Sequence, residues 1–285
     1  MDKKLERRLA QLAQMTRDGT FGEKAQQASV EWDTSSPQGI AVFQKIVSDF
    51  YLVERSKDDE PLYTIANRFC QLLIVAYRNA KKQDKFVANE YVRSFVRDFD
   101  AVEGSCLYPQ WEGLVKASFA LKQVGGNKLL VERQAFELYR AFNEFLNATL
   151  PYLIVAWRTA LGKTYSPKIF SQTYAAKLNE FRQLTNGNDG AFYIIFRLAN
   201  PKLRNAIAHS DVWIDEDDGK VKYTDGKDQK IPYEISLVDF MAHLAAGSHL
   251  AQSYLAAMSV IAISESGSSM DVVKLPTHIV KLLLS

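Results

Sequence analysis

The chain has 285 residues, 35 Lys+Arg against 33 Asp+Glu, two cysteines, 47% hydrophobic and 12% aromatic residues. That apolar share belongs to a chain that buries a core, which excludes global disorder, and the length allows one large domain or two ordinary ones. Cys70 and Cys106 are too few for a disulfide framework or a four-ligand zinc site, and a formal net charge of +2 excludes a large uniform basic field of the kind that tracks nucleic acid.

The elements, taken in chain order, are mostly helical. Leu5, Leu9, Leu12 and Met15 recur at helical spacing and predict a short amphipathic helix ending near Asp18-Gly19. Residues 20–39 are polar and read as a loop. Residues 40–56 and 62–82 predict two further helices, separated by Lys57-Asp58-Asp59-Glu60-Pro61, and residues 86–100 predict another with Phe86, Tyr91, Phe95 and Phe99 on one face. A joint at 104–109 precedes a helix over 111–123. Gly125-Gly126-Asn127 is a strong break, and residues 128–160 predict a long helix interrupted or kinked at Pro151. Helices over 167–184 and 191–208 flank a turn at Asn186-Gly187-Asn188-Asp189-Gly190.

The pattern then changes. Residues 212–214, 221–223 and 231–235 are β-rich and short, and Asp218-Gly219 and Asp225-Gly226 are hairpin-turn signals, so a small ribbon is expected at about 211–235. Helix resumes over 236–264 with Ser236 as N-cap, followed by a Gly/Ser joint at 265–270 and a terminal amphipathic segment over 272–284. Residues 73–80 and 153–160 match at six of eight positions, a similarity that two helices with the same packing needs also produce.

The first 18 residues are charged throughout and carry no signal-peptide region. The most apolar stretches, 150–157 and 254–263, are shorter than the roughly 20 residues that span a bilayer. A cytoplasmic protein without membrane contact is expected.

Most constellations of reactive side chains are weak. His243 and His249 stand six apart, the wrong spacing for two ligands on one helix face, and His278 stands alone. No phosphate-cradling glycine loop occurs, and Asp215-Glu216-Asp217-Asp218 lacks calcium-loop spacing, so no metal or cofactor is expected. Trp111, Trp157 and Trp213 are core candidates. The basic run 78–85 reads as a solvated helix end.

The informative segment is Pro201-Lys202-Leu203-Arg204-Asn205-Ala206-Ile207-Ala208-His209-Ser210. An arginine and a histidine five apart are joined by small apolar residues, directly after an aromatic helix and before the ribbon. Arginine stays cationic and can give two hydrogen bonds to phosphate oxygens. Imidazole moves protons near neutral pH. Together they suit phosphate binding with proton transfer beside it, and Asn205 orients the histidine or a phosphate oxygen without adding charge. On an ideal helix five residues rotate by about 140°, so either the helix ends near Ala208 or another chain completes the site.

This segment resembles the Arg-x(4–6)-His motif of the HEPN superfamily (higher eukaryotes and prokaryotes nucleotide-binding), in which a polar residue often follows the arginine. Arg204, Asn205 and His209 match it residue by residue. The resemblance runs over roughly 128–264 and does not extend to 1–127. It implies a mainly α, HEPN-like helical bundle over 128–285 with the inserted ribbon, beside a helical region over 1–127 that senses, contacts a partner or restrains. It further implies a metal-independent endoribonuclease of bacterial toxin or antiphage type, leaving 2′,3′-cyclic phosphate ends. RNA is then the substrate, and two protomers form a composite cleft that Arg197, Lys202 and Arg204 make positive. A cognate inhibitor or sensor protein is a further implied partner. The alternative is a non-catalytic HEPN module that binds nucleotide, RNA or protein. Where antitoxin-paired members carry a modified tyrosine two positions after the histidine, this chain has Asp211, which orients His209 or begins the ribbon.

Overall fold

The computed structural model describes residues 44, 46–51, 60–95, 97–100, 102–226, 231–265 and 276–284. The expected helix near residues 5–18 and positions 266–270 of the Gly/Ser joint lie outside them. Residues 46–51 are helical. The named helices are α1 (Glu60–Gln83), α2 (Lys85–Arg93), α3 (Tyr108–Gln123), α4 (Lys128–Ala160), α5 (Tyr174–Thr185), α6 (Tyr193–Leu198), α7 (Pro201–His209), α8 (Leu237–Glu265) and α9 (Thr277–Leu284). The architecture is mainly α with one small sheet, as expected. Among the described residues, no helix is long and apolar enough to cross a membrane.

The centre is α4, 33 residues long and capped at its start by the Asn127 side chain, which accepts from the Leu130 N–H at 3.2 Å. Every residue from Thr149 to Ala156 is buried, so this half of the helix is enclosed on all sides. Helices α1, α2, α3, α5, α7 and α8 all pack on it. The core they form is continuous across Asn127, from Val47 through Cys70 and Trp111 to Tyr152, Phe181 and Ile261. Pro151 does not end α4. The enclosing helices hold its two halves together.

Three expected helices differ from what is observed. The helix expected over 86–100 ends at Arg93, because the chain folds back: Leu107 N donates to Ser94 O (2.8 Å) and Cys106 N to the Asp98 carboxylate (2.9 Å). The 167–184 segment is a 3₁₀ turn, Pro167–Ser171, and then α5, which Thr173 caps through Ala176 N at 3.3 Å. The 191–208 segment is two helices, since Asn200 caps α7 and Pro201 occupies its first turn. Trp213, expected in the core, lies on the outer face of the sheet and is exposed.

The sheet is β1 (Val212–Asp215), β2 (Lys220–Tyr223) and β3 (Tyr233–Ser236), antiparallel in that order. Val221 and Tyr223 turn inward to the core. On the outer face Lys222 pairs with Asp215 (2.7 Å) and Asp218 (2.6 Å), and on the same strand Lys220 pairs with Glu234 (2.6 Å). Ser236 caps α8 as expected, accepting from Asp239 N at 3.0 Å.

Helices α4 and α8 run parallel, as the ring pairs Phe136–Phe240 (5.6 Å) and Phe145–Tyr254 (5.8 Å) show. Between these pairs Gly247 lies against the Phe142 ring, where a Cβ would stand 2.8 Å from Cγ. Glycine is thus required by the close approach of the two helices. Gly247→Ala is expected to lose about 1–3 kcal/mol in a denaturant titration, the cost of overpacking. At an exposed helical site the same exchange gains about 1 kcal/mol, so a stabilised variant contradicts this packing.

Candidate functional site

Nine residues form α7. Its start is fixed by Asn200, whose side chain accepts from Leu203 N at 3.0 Å, and by Pro201, whose missing N–H needs no partner there. Leu203, Ala206 and Ile207, at i, i+3 and i+4, are buried against α4 and its neighbours. Ser210 closes the helix in the left-handed conformation (φ 61°), and Asp211 N reaches back to Ala206 O at 2.8 Å. The remaining face carries Arg204 and Asn205, both half-buried, and His209, which is exposed.

A buried amide ties this helix to the core. Asn143 on α4 is 0% exposed, and its Oδ1 accepts from the Tyr174 hydroxyl (2.9 Å) and from Asn200 N (3.0 Å). Its Nδ2 donates to Tyr139 O at 3.2 Å. Asn200 Nδ2 donates to Tyr223 Oη at 3.0 Å, which extends the network into the sheet. Burial pushes the Tyr174 phenol well above its ordinary pKa, with Tyr139 adding and Arg204 opposing, so it remains the donor.

Arg204 is held by Glu144 of α4. Nε donates to Oε1 at 2.8 Å and Nη2 lies 2.6 Å from the same oxygen, while Nη1 donates to Asn205 Oδ1 at 2.9 Å. Asn205 therefore orients the guanidinium through its oxygen. His209 is the last residue of α7, so the helix continues through it and leaves it well round the axis from Arg204. Lys202 is exposed and bonds the Tyr233 hydroxyl of β3, its charge 4.0 Å from the ring centre. Arg197 lies over the Tyr193 ring at 5.8 Å. Asp211 joins helix to sheet through its backbone, its carbonyl accepting from Thr224 N at 3.0 Å.

The sequence reading missed Glu144 and also Lys177 of α5, which is only 5% exposed. Pro151 has no N–H for the carbonyl of Asn147 four residues earlier. Lys177 Nζ supplies one, at 3.5 Å from that carbonyl and 3.1 Å from the Asn147 side-chain oxygen. Burial lowers its pKa, Arg204 lowers it further and Glu144 opposes. The available signal was a polar Asn143-Glu144 pair and Asn147 within the mostly apolar stretch 141–157, ahead of a proline.

The remaining histidines join no cluster. His243 is half-buried with Nδ1 unpartnered, and burial lowers its pKa against the opposing effect of Asp239. Among the described residues no group of three or more His, Cys, Asp or Glu is placed to hold a metal ion. Comparison with models of known protein families, with curated proteins and with solved structures finds no match.

Asn143→Ala strips an acceptor from both Tyr174 and Asn200 inside the core, and is expected to cost about 2–4 kcal/mol by chemical denaturation. Tyr174→Phe removes one donor only and is expected to cost about 1 kcal/mol. Equal losses in the two variants would show that the amide is not the shared node.

Proposed function

We propose that the protein is a metal-independent endoribonuclease of HEPN type, acting as a homodimer in a toxin or antiphage role. The observation that carries this reading is the outward surface of α7: Arg204, Asn205 and His209 stand on one short helix pinned at both ends, with His209 well round the axis from Arg204. In the reaction the 2′-hydroxyl gives up its proton and its oxygen attacks the adjacent phosphorus. The 5′-oxygen leaves and takes up a proton, giving a 2′,3′-cyclic phosphate. His209 handles protons, Arg204 binds the phosphoryl oxygens, and Asn205 holds the guanidinium in orientation. Lys202 and Asp211 border this face. The separation of Arg204 and His209 around the helix is accommodated when a second copy faces the first.

The second reading, a binding module without cleavage, is favoured by the Glu144–Arg204 pair, since a phosphate has to displace Glu144 from Nε and Nη2. The same pair makes Arg204→Ala a structural risk, so exposed His209 carries the decisive variant.

Wild-type protein incubated with total RNA in EDTA is expected to cut it and leave cyclic phosphate ends. His209→Ala, with unchanged melting, is expected to lower the rate by about 10²–10⁴-fold. Intact RNA with the wild type favours the binding module, and cleavage that survives His209→Ala removes His209 from the chemistry.

Light scattering on the purified chain is expected to give the mass of a dimer. A strict monomer that still cuts RNA removes the composite cleft.

A further inference from the structure

A cleft of about 310 Å³ opens where the end of α1, the start of α2 and the end of α8 meet. Among the described residues its lining is basic: Arg78, Lys81, Lys82 and Lys85 share it with a single carboxylate, Glu265. That carboxylate is engaged by Lys81, whose Nζ lies 2.6 Å from both of its oxygens. Lys82 and Lys85 stand in the same lining beside Arg78, so cations outnumber the acid there.

Helix-end electrostatics account for part of this only. Lys81 and Lys82 stand in the last turn of α1, where the carbonyl ends favour cations. Lys85 is the first residue of α2, and a helix N-terminus disfavours a cation. Its place in the cleft needs another reason.

Tyr77 supplies an independent observation. It lines the same cleft, is 2% exposed, and its hydroxyl is buried with no hydrogen-bond partner in full geometry among the described residues. Burial raises its pKa first, and Glu265 adds to that as a nearby hydrogen-bond acceptor and as a charge, although the contact falls short of full hydrogen-bond geometry. A buried O–H without a well-placed acceptor is costly, and an anion oxygen entering the cleft satisfies it.

We infer that this cleft binds an oligophosphate anion, either free or carried on a nucleotide. Several cations in one small concavity match an ion with several adjacent negative charges better than a lone carboxylate. Arg78 adds a planar fork suited to phosphate oxygens, and the lysines act as point charges. The site is separate from α7 and does not rest on the proposed nuclease activity.

The test is titration calorimetry on the full chain with sodium tripolyphosphate, ATP and adenosine, at low and at physiological ionic strength. Tripolyphosphate is expected to bind, more weakly at higher salt, and adenosine to give no heat. Equal or tighter binding of ATP identifies a nucleotide as the source, and loss of ATP binding alone identifies free polyphosphate. The exposed pair Lys82→Ala/Lys85→Ala is expected to weaken tripolyphosphate by about tenfold or more. Tyr77→Phe is expected to weaken it several-fold while the melting temperature holds. No tripolyphosphate binding to the wild type overturns the inference, as does affinity retained in the double lysine variant. Equal loss in Arg204→Ala with unchanged melting overturns it too, by placing the anion elsewhere, and so does binding of a single-stranded RNA when tripolyphosphate gives none.

Discussion

The arrangement of the candidate site depends on one buried amide. Asn143 has no exposure, so its oxygen can be satisfied only by protein, and it accepts from Tyr174 of α5 and from the backbone of Asn200 at the head of α7. Neither donor can withdraw without leaving a polar group unpaired in a dry core. The distances among α4, α5 and α7 are therefore set by hydrogen-bond geometry as well as by packing. Asn200 passes the constraint to the sheet through Tyr223 and to α7 through Leu203 N. The outward face of α7 is in this way indexed to the centre of the molecule.

Next to that node the chain concentrates charge. Glu144 follows Asn143 on α4 and holds Arg204, while Lys177 answers the carbonyl that Pro151 leaves without a donor. Two cations and one carboxylate thus share a small region, and the burial of Lys177 has a backbone cause. The Glu144 contact also sets a condition on any chemistry at Arg204. Its Nε and Nη2 are taken in this state, so a phosphate must replace a carboxylate of like charge. Such an exchange keeps the guanidinium paired throughout and avoids leaving a cation unsatisfied in a partly buried place.

Near-neutral overall charge conceals this unevenness. A formal +2 spread over the surface gives little long-range attraction to nucleic acid. Local excess occurs in the cleft of α1, α2 and α8, where four cations meet one acid. On the sheet and at the end of α4 the cations are paired: Lys222 with two aspartates, Lys220 with Glu234, Arg158 with Glu180. With so little net charge, an anion that binds this protein has to use compact sites.

Much of the architecture is written locally. The apolar spacing of 62–82 and 128–160, the Asn127 and Ser236 caps and the Asp-Gly turns determine helices and ribbon, because each depends on neighbours a few residues away. The order Arg204, Asn205, His209 is likewise local, and so was readable. Other features join residues far apart in the chain: Glu144 with Arg204, Asn147 with Lys177, Gly247 with Phe142, and the basic cleft with Glu265. Whether residues 86–100 remain helical was also a tertiary matter, decided by Leu107 returning to Ser94. Local spacing fixes which face a side chain takes. Only packing of distant segments fixes what that face meets, and hence which charges are paired and which buried donors find an acceptor.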